Sequence, residues 1–432
     1  MPSALLTRPK TLAPPTTNPL AVLGDVDVLT DRGRLVRYAN FDIAASAPCL
    51  AAAADAVNAL LPYYASVHRG AGALSQRRTL AYERARQVVA DFLGCGPEHA
   101  VVFTRNTTDA TNLLAYALPP GTRVVTFAAE HHANLLPWPA AVRLPLSPTP
   151  AAAVAAVDTA LRDLGTGPAL VAVTGASNVT GELWPVREIA AVAHRRGARV
   201  VLDAAQLAAH HPVHLGSLGV DYVALSGHKL YAPFGTGVLA GRSDWLDAAQ
   251  PYLRGGGATG HVGETVGDVR WHTGAARHEA GTPNLLGAVA LAAVCEALDA
   301  ADREALAARE AVLLARLRRG LDAIAGVHQL SLFGPHHLRV GIVSFAVEGL
   351  DSATIATRLS SGYGIGVRDG LFCAHPLTRQ LLARASVALP DTAVRASLGL
   401  GTTTVEVDRL VAALAEIVGS ARCCSPSPSP RR

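Results

Sequence analysis

Ser226-Gly227-His228-Lys229-Leu230 follows the apolar run Asp221–Leu225 and carries the only lysine outside a Pro-rich N-terminal leader. Lysine and arginine together number 38. Lys10, in the leader, and Lys229 are the only lysines; all the others are arginine. Wherever a positive charge suffices, this chain uses Arg. A guanidinium stays protonated, whereas an imine to an aldehyde needs an amine that can lose its proton. A single lysine between small and polar residues is therefore a candidate imine-forming residue. The alternative is a surface lysine left by compositional drift, and the flanking sequence decides between them.

The 432 residues are long for one domain, so two are expected. Hydrophobic residues make up 50% and charged residues 17%, enough for a large core, much of it Ala. The net charge is +4, and the arginines are spread, with Arg195-Arg196 and Arg318-Arg319 only as pairs. That is no nucleic-acid footprint. Cys49, Cys95, Cys295, Cys373, Cys423 and Cys424 show neither metal-ligand spacing nor a disulfide framework. The N-terminus lacks the apolar stretch of a secretory signal. No run reaches the roughly 18 apolar residues of a membrane span. The expectation is a soluble, cytoplasmic protein with no metal.

Residues 1–37 read as a leader or arm, 38–298 as a large domain, 299–420 as a smaller one and 421–432 as a disordered Ser/Pro tail. Residues 50–61 and 75–93 read as helices, separated by the Gly-rich Val67-His68-Arg69-Gly70-Ala71-Gly72. From residue 100 to 240 short apolar runs alternate with helical stretches. The runs are Ala100–Thr104, Arg123–Phe127, Ala169–Thr174, Arg199–Asp203, Asp221–Leu225 and Gly237–Ala240. This alternation predicts parallel strands with crossover helices, and continuously apolar runs predict strands covered on both faces. Ligands bind such sheets beyond the carboxyl ends of the strands. Polar residues fall there after the first five runs: Thr107 and Thr108, His131 and His132, Ser177 and Asn178, Asp203 and Gln206, and Ser226, His228 and Lys229. One long helix is expected from Leu285 to Leu321, linking to a smaller C-terminal α/β domain.

Read as one site, these residues include a combination that suits a phosphate. Asn106-Thr107-Thr108 opens a helix whose free N–H groups and hydroxyls make an anion site, with Ser226 and His228 beside it. Simple N-capping by Thr107 is the plainer reading of that motif. Asp203 ends a strand as a capping acid or as a carboxylate for a protonated pyridine nitrogen, which would keep the ring an electron sink. His131 is placed to stack on the ring.

The ordered motifs resemble the class V aminotransferase family of fold-type I pyridoxal-phosphate (PLP) enzymes, most closely the group II cysteine desulfurases and selenocysteine lyases. The matching stretches run from about Tyr38 to Thr403. They are Phe41-Asp42-Ile43-Ala44-Ala45-Ser46, Val67-His68-Arg69-Gly70, Asn106-Thr107-Thr108-Asp109, Glu130-His131-His132-Ala133-Asn134 and Ser177-Asn178-Val179-Thr180-Gly181. They continue with Asp203-Ala204-Ala205-Gln206, Ser226-Gly227-His228-Lys229-Leu230-Tyr231, Glu279-Ala280-Gly281-Thr282-Pro283-Asn284, Val367-Arg368-Asp369-Gly370 with Cys373, and Arg395-Ala396-Ser397-Leu398. The resemblance implies an α/β fold-type I PLP-dependent transferase: a large domain with a mostly parallel seven-stranded sheet and a smaller C-terminal α/β domain. It implies pyridoxal 5'-phosphate as cofactor, joined to Lys229. Asp203 would partner the pyridine nitrogen and Gln206 the phenolate oxygen, with His131 the stacking ring. Thr107, Thr108, Ser226 and His228 would line the phosphate. Thr282 would reach the phosphate of the neighbouring subunit, which implies a homodimer with active sites at the subunit interface. Arg395 would clamp the substrate α-carboxylate, a role suited to a bidentate guanidinium, with Asn178 and Arg368 lining the same pocket. Cys373 would be the thiolate that takes sulfur from L-cysteine, leaving alanine and a persulfide for a sulfur-acceptor protein.

The family loop before the nucleophile reads Arg-Thr-Gly-His-His-Cys, whereas here it reads Arg368-Asp369-Gly370-Leu371-Phe372-Cys373. Two apolar side chains replace two imidazoles, and an acid follows Arg368. The glycine loop reads Gly255-Gly256-Gly257-Ala258-Thr259 where desulfurases carry Gly-Gly-Gly-Glu-Met. Three readings stay open on these residues. One is an L-cysteine desulfurase. Another is a C–S lyase, aminotransferase or epimerase of a specialised pathway, in which Cys373 is not the nucleophile. The third is a catalytically silent protein on the same scaffold.

Overall fold

The structure is a computed structural model describing Asn18 and residues 20–68, 70–265 and 267–423. Most of the leader, Arg69, Val266 and residues 424–432 lie outside the described residues, whereas residues 421–423, expected to begin a disordered tail, are helical. The chain opens with β1 (Asp27–Leu29) and β2 (Leu35–Arg37), an antiparallel hairpin within the predicted arm, then β3 (Ala39–Asn40). Helices α1 (Ala51–Leu60) and α2 (Ala73–Phe92) follow. The large domain then runs β4 (His99–Thr104), α3 (Thr107–Ala117), β5 (Arg123–Phe127), α4 (His132–Leu135), β6 (Val142–Leu144), α5 (Pro150–Leu164), β7 (Ala169–Thr174), α6 (Val186–Arg195), β8 (Arg199–Asp203), α7 (Leu215–Leu218), β9 (Tyr222–Ser226), β10 (Gly237–Arg242) and α8 (Ser243–Ala248). The hairpin β11 (Thr259–Val262) and β12 (Val269–Trp271) precedes α9 (Leu285–Asp299) and α10 (Arg303–Asp322). The small domain runs β13 (Val327–Gln329), β14 (Ile342–Val347), α11 (Ser352–Tyr363), β15 (Ile365–Gly366), β16 (Arg368–Gly370), α12 (His375–Ala383), β17 (Ala393–Ser397) and α13 (Thr404–Cys423).

Seven strands form the central sheet in the order β4-β10-β9-β8-β7-β5-β6. Strands β9, β8, β7, β5 and β6 pair in parallel. Strand β10 is antiparallel to both β9 and β4. The short Gly227–Thr236 connection explains this, because a crossover to a parallel neighbour needs a dozen or more residues. All six residues of β7 are buried, as a two-faced strand requires. The predicted single helix from Leu285 to Leu321 is instead two. It breaks at Ala300–Asp302, where Asp302 caps α10 by accepting the Ala305 N–H at 2.9 Å. Ala-rich helices carry little periodicity, so the break leaves only this cap as a signal. The small-domain sheet has the order β13-β14-β17-β16, and its core takes in Ala39 and Phe41 from the start of the chain. Among the described residues, no helix is long and apolar enough to cross a membrane.

Gly237 fixes where β10 meets the start of α3. A Cβ there would stand 2.5 Å from Asn106 Cα and 2.7 Å from Leu225 O, both backbone atoms that cannot move independently. Gly237→Ala is therefore expected to lower the thermal unfolding midpoint through an overpacking cost of about 1–3 kcal/mol. Gly216→Ala, with open space around its Cβ, should leave the midpoint unchanged. Equal melting of both variants would contradict the close approach.

Candidate active site

Every site residue predicted from the sequence except Thr282 lines one cavity of about 250 Å³ at the carboxyl ends of the sheet strands. Thr282 lies on an exposed loop, beside a second hollow lined by Glu279, Gly281 and Pro283.

Lys229 closes a single 3-10 turn, Gly227–Lys229, between β9 and β10. The turn is held from several sides. Gly227 N–H donates to Thr236 O at 2.7 Å, and its missing Cβ would stand 2.6 Å from that oxygen. Ala47 N–H donates to His228 O at 2.8 Å, and Leu50 N–H to Tyr231 O at 3.0 Å. Tyr231 adopts φ 58°, unusual for a side chain of that bulk. Its buried hydroxyl accepts the Leu400 N–H at 2.9 Å. Burial pushes the Lys229 amine below its ordinary range, and Asp203 opposes that shift. A lowered amine is what imine formation needs.

Asp203, 4% exposed, ends β8. It accepts the Ala205 N–H at 2.9 Å, and burial raises its carboxyl above the usual range. Gln206 donates one amide hydrogen to Ala44 O at 2.8 Å and has a second to offer. His131 caps α4, its Nδ1 accepting the Ala133 N–H at 3.0 Å. That contact puts the ring proton on Nε2. Burial, then the Lys229 and His132 charges, pushes its pKa down to about 3. The ring is thus neutral at ordinary pH, a flat aromatic surface lining the cavity.

The helix cap at α3 is Asn106, whose side chain accepts the Asp109 N–H at 3.0 Å. Capping by Thr107, the plainer reading of that motif, does not occur. Thr107 instead binds Ser226, N–H to Oγ at 2.8 Å and hydroxyl to hydroxyl at 2.8 Å. Together with Thr108 and His228 they form a polar cradle at the amino end of an eleven-residue helix, a setting that favours an anion.

The opposite wall comes from the small domain. Arg395, 3% exposed, donates Nη1 to Asn178 O at 3.0 Å and Nη2 to Asp42 Oδ1 at 3.3 Å. Its guanidinium lies 5.3 Å from the Phe372 ring centroid, and its Nε is buried without a partner. Asn178 Nδ2 donates to Phe372 O at 2.7 Å. Cys373 is exposed, and its carbonyl accepts the His132 N–H at 2.8 Å. Phe372 and Cys373 both take positive φ, 53° and 52°. Two such residues in succession mark a strained loop. Arg368 is exposed, 4.0 Å from Asp42 Oδ2.

Three residues make contacts that sequence reasoning did not foresee. Asp42 bridges the two arginines. Phe372 packs on Arg395. Glu130, with no exposure, accepts from Asn134 Nδ2 at 2.8 Å and Thr174 N–H at 3.0 Å. Burial pushes the Glu130 pKa up to about 8. Glu130 could have been singled out as an acid directly before His131 in a matching motif. Phe372 carried its signal as an apolar residue beside the expected nucleophile. Asp42 carried a signal only as the acid of the matching stretch Phe41–Ser46.

The profile of the family described as Aminotransferase class-V matches residues 39–410. The cysteine desulfurase of Klebsiella pneumoniae (strain 342) is 39% identical over 367 residues, covering 82% of this chain and 86% of that protein. The probable cysteine desulfurase of Pseudomonas aeruginosa is 38% identical over 386 residues, covering 86% and 92%. Among solved structures, a cysteine desulfurase from Thermococcus onnurineus NA1 superposes with a TM-score of 0.79 at 32% identity, covering 89% of this chain and 95% of that one. One from Escherichia coli gives 0.76 at the same identity and coverage. With its seven-stranded sheet and its cavity at the strand ends, the chain belongs to the class V aminotransferase family and is cysteine desulfurase-like.

Proposed function

We propose that this protein is a PLP-dependent L-cysteine desulfurase. The carrying observation is that an amine lowered by burial, a buried carboxyl and a buried guanidinium with a free N–H meet in one cavity. The residues fit PLP at each end. Lys229 would take the aldehyde carbon, Asp203 the pyridine nitrogen, Gln206 the phenolate oxygen and His131 the ring face. Thr107, Thr108, Ser226 and His228 form the phosphate cradle. When bound, PLP supplies an electron sink for the carbanion formed at the substrate α-carbon.

The chain does the rest. Arg395, backed by Asn178, fixes the α-carboxylate, with Arg368 at the mouth. The Lys229 amine, in its neutral form, would take up the substrate α-proton. Cys373 attacks the substrate sulfur as thiolate. A sulfur–sulfur bond forms, the substrate carbon–sulfur bond breaks, and its electron pair goes to the β-carbon, which is protonated. The products are alanine and Cys373 persulfide, and a sulfur-acceptor protein would take the terminal sulfur. The exposed Gly281–Asn284 loop supports a homodimer, with Thr282 serving the neighbouring subunit. Cytoplasmic localisation belongs to the same reading. One observation favours a second reading, a C–S lyase, aminotransferase or epimerase: Phe372, rather than an imidazole, fills the space beside Cys373 and Arg395.

The PLP-loaded protein is expected to absorb near the edge of the visible range, and Lys229→Ala should lose that band. A protein that stays colourless with excess PLP would contradict the cofactor assignment. Cys373→Ala should abolish sulfide and alanine release from L-cysteine, by at least about a hundredfold, and keep the absorbance band. Full activity in Cys373→Ala would remove the desulfurase step and leave a lyase. Conversion of the loaded protein to its pyridoxamine form by an amino acid would identify an aminotransferase.

A further inference from the structure

Arg395, expected to receive the substrate carboxylate, and Arg368, expected to line the same pocket, already share a carboxylate of this chain. Asp42 lies between them, Oδ1 3.3 Å from Arg395 Nη2 and Oδ2 4.0 Å from Arg368 Nη1. Its side chain is 27% exposed, whereas that of Arg395 is 4% exposed. Asp369, on β16 beside Arg368, adds a second negative charge that also acts on Asp42, and Tyr38 faces it from the chain start. Arg395 does not depend on Asp42 for its place. Asn178 O and the Phe372 ring hold it from two other directions, and β17 fixes its backbone by pairing with β14 and β16. Its Nε is buried without a partner, and with Nη1 and Nη2 donating one hydrogen bond each the guanidinium keeps further N–H donors.

We infer that Asp42 is a specificity-determining residue, an internal counter-carboxylate that neutralises Arg395 in the empty site and weakens the binding of substrate carboxylates there. This rests on reading the cavity as an amino-acid site. A substrate carboxylate received by Arg395 in this cavity comes close to Asp42, and the two anions repel across a partly solvated gap. Without Asp42 the buried guanidinium would be uncompensated in the empty site. With it, the site admits one carboxylate at reduced affinity, and product alanine leaves more easily.

The test is a titration of the PLP-loaded wild type and Asp42→Asn with L-alanine and with L-alaninamide, followed by the cofactor absorbance. Asn keeps the shape and an acceptor for Arg395 Nη2 but removes the charge. The half-saturating L-alanine concentration should fall about tenfold in the variant, the scale of one partly screened charge pair. That for L-alaninamide, which has no carboxylate, should not change. Asp42→Ser gives the same comparison if the Asn variant does not load cofactor. L-Alanine binding that is unchanged or weaker in the variants would overturn the proposal, as would an equal gain for L-alaninamide. No spectral response to either compound in the wild type would refute the amino-acid reading itself, and the proposal with it.

Discussion

One amine and one carboxyl buried in the same cavity govern this structure. Water would keep Lys229 protonated and Asp203 ionised. Burial drives each toward its neutral form, and each partly restores the charge of the other. An isolated pair of this kind is costly, because desolvation exceeds what their attraction returns. The fold keeps them there with backbone hydrogen bonds to the Lys229 turn and with a glycine at 227 that only a hydrogen can occupy. That rigidity is spent on chemistry rather than on stability. It holds an amine eased toward its neutral form in the same cavity as a buried carboxyl.

The same constraint explains the segment Phe41–Leu50. Phe41 packs in the small-domain core and Ile43 in the large one. Between these and Leu50, Asp42 touches Arg395, and the Ala44 N–H donates to Ser397 Oγ at 2.9 Å while its carbonyl receives Gln206. Ala47 and Leu50 then donate to the carbonyls flanking Lys229. One extended strap thus sets the distance between the carboxylate-binding wall and the amine. Tyr231, reaching from the lysine turn to Leu400, is a second tie between the same two walls.

Much of the site was legible because its residues end apolar strands, and strand ends converge in any parallel sheet. The runs closed by Thr104, Phe127, Thr174 and Asp203 show this directly. Less legible was β6, three residues on the sheet edge with two of them exposed, too short for any period. The Asn106 cap was hidden because three adjacent polar residues all qualify as caps. Asp42 lies in a matching stretch, but its partner could not be read. Its role comes from an arginine 353 positions away, and nothing local distinguishes it from a turn acid. The strain at Phe372 and Cys373 likewise arises from tertiary tethers, the Asn178 and His132 hydrogen bonds, and not from a turn-forming sequence.

The most direct measurement is borohydride reduction of the PLP-loaded protein followed by proteolysis and peptide mapping. Reduction makes any bond between the aldehyde and an amine permanent, so the labelled residue identifies itself. The account predicts one modified site, Lys229, in the peptide that contains Ser226-Gly227-His228. Label at Lys10, at the chain's amino terminus, or nowhere would contradict it.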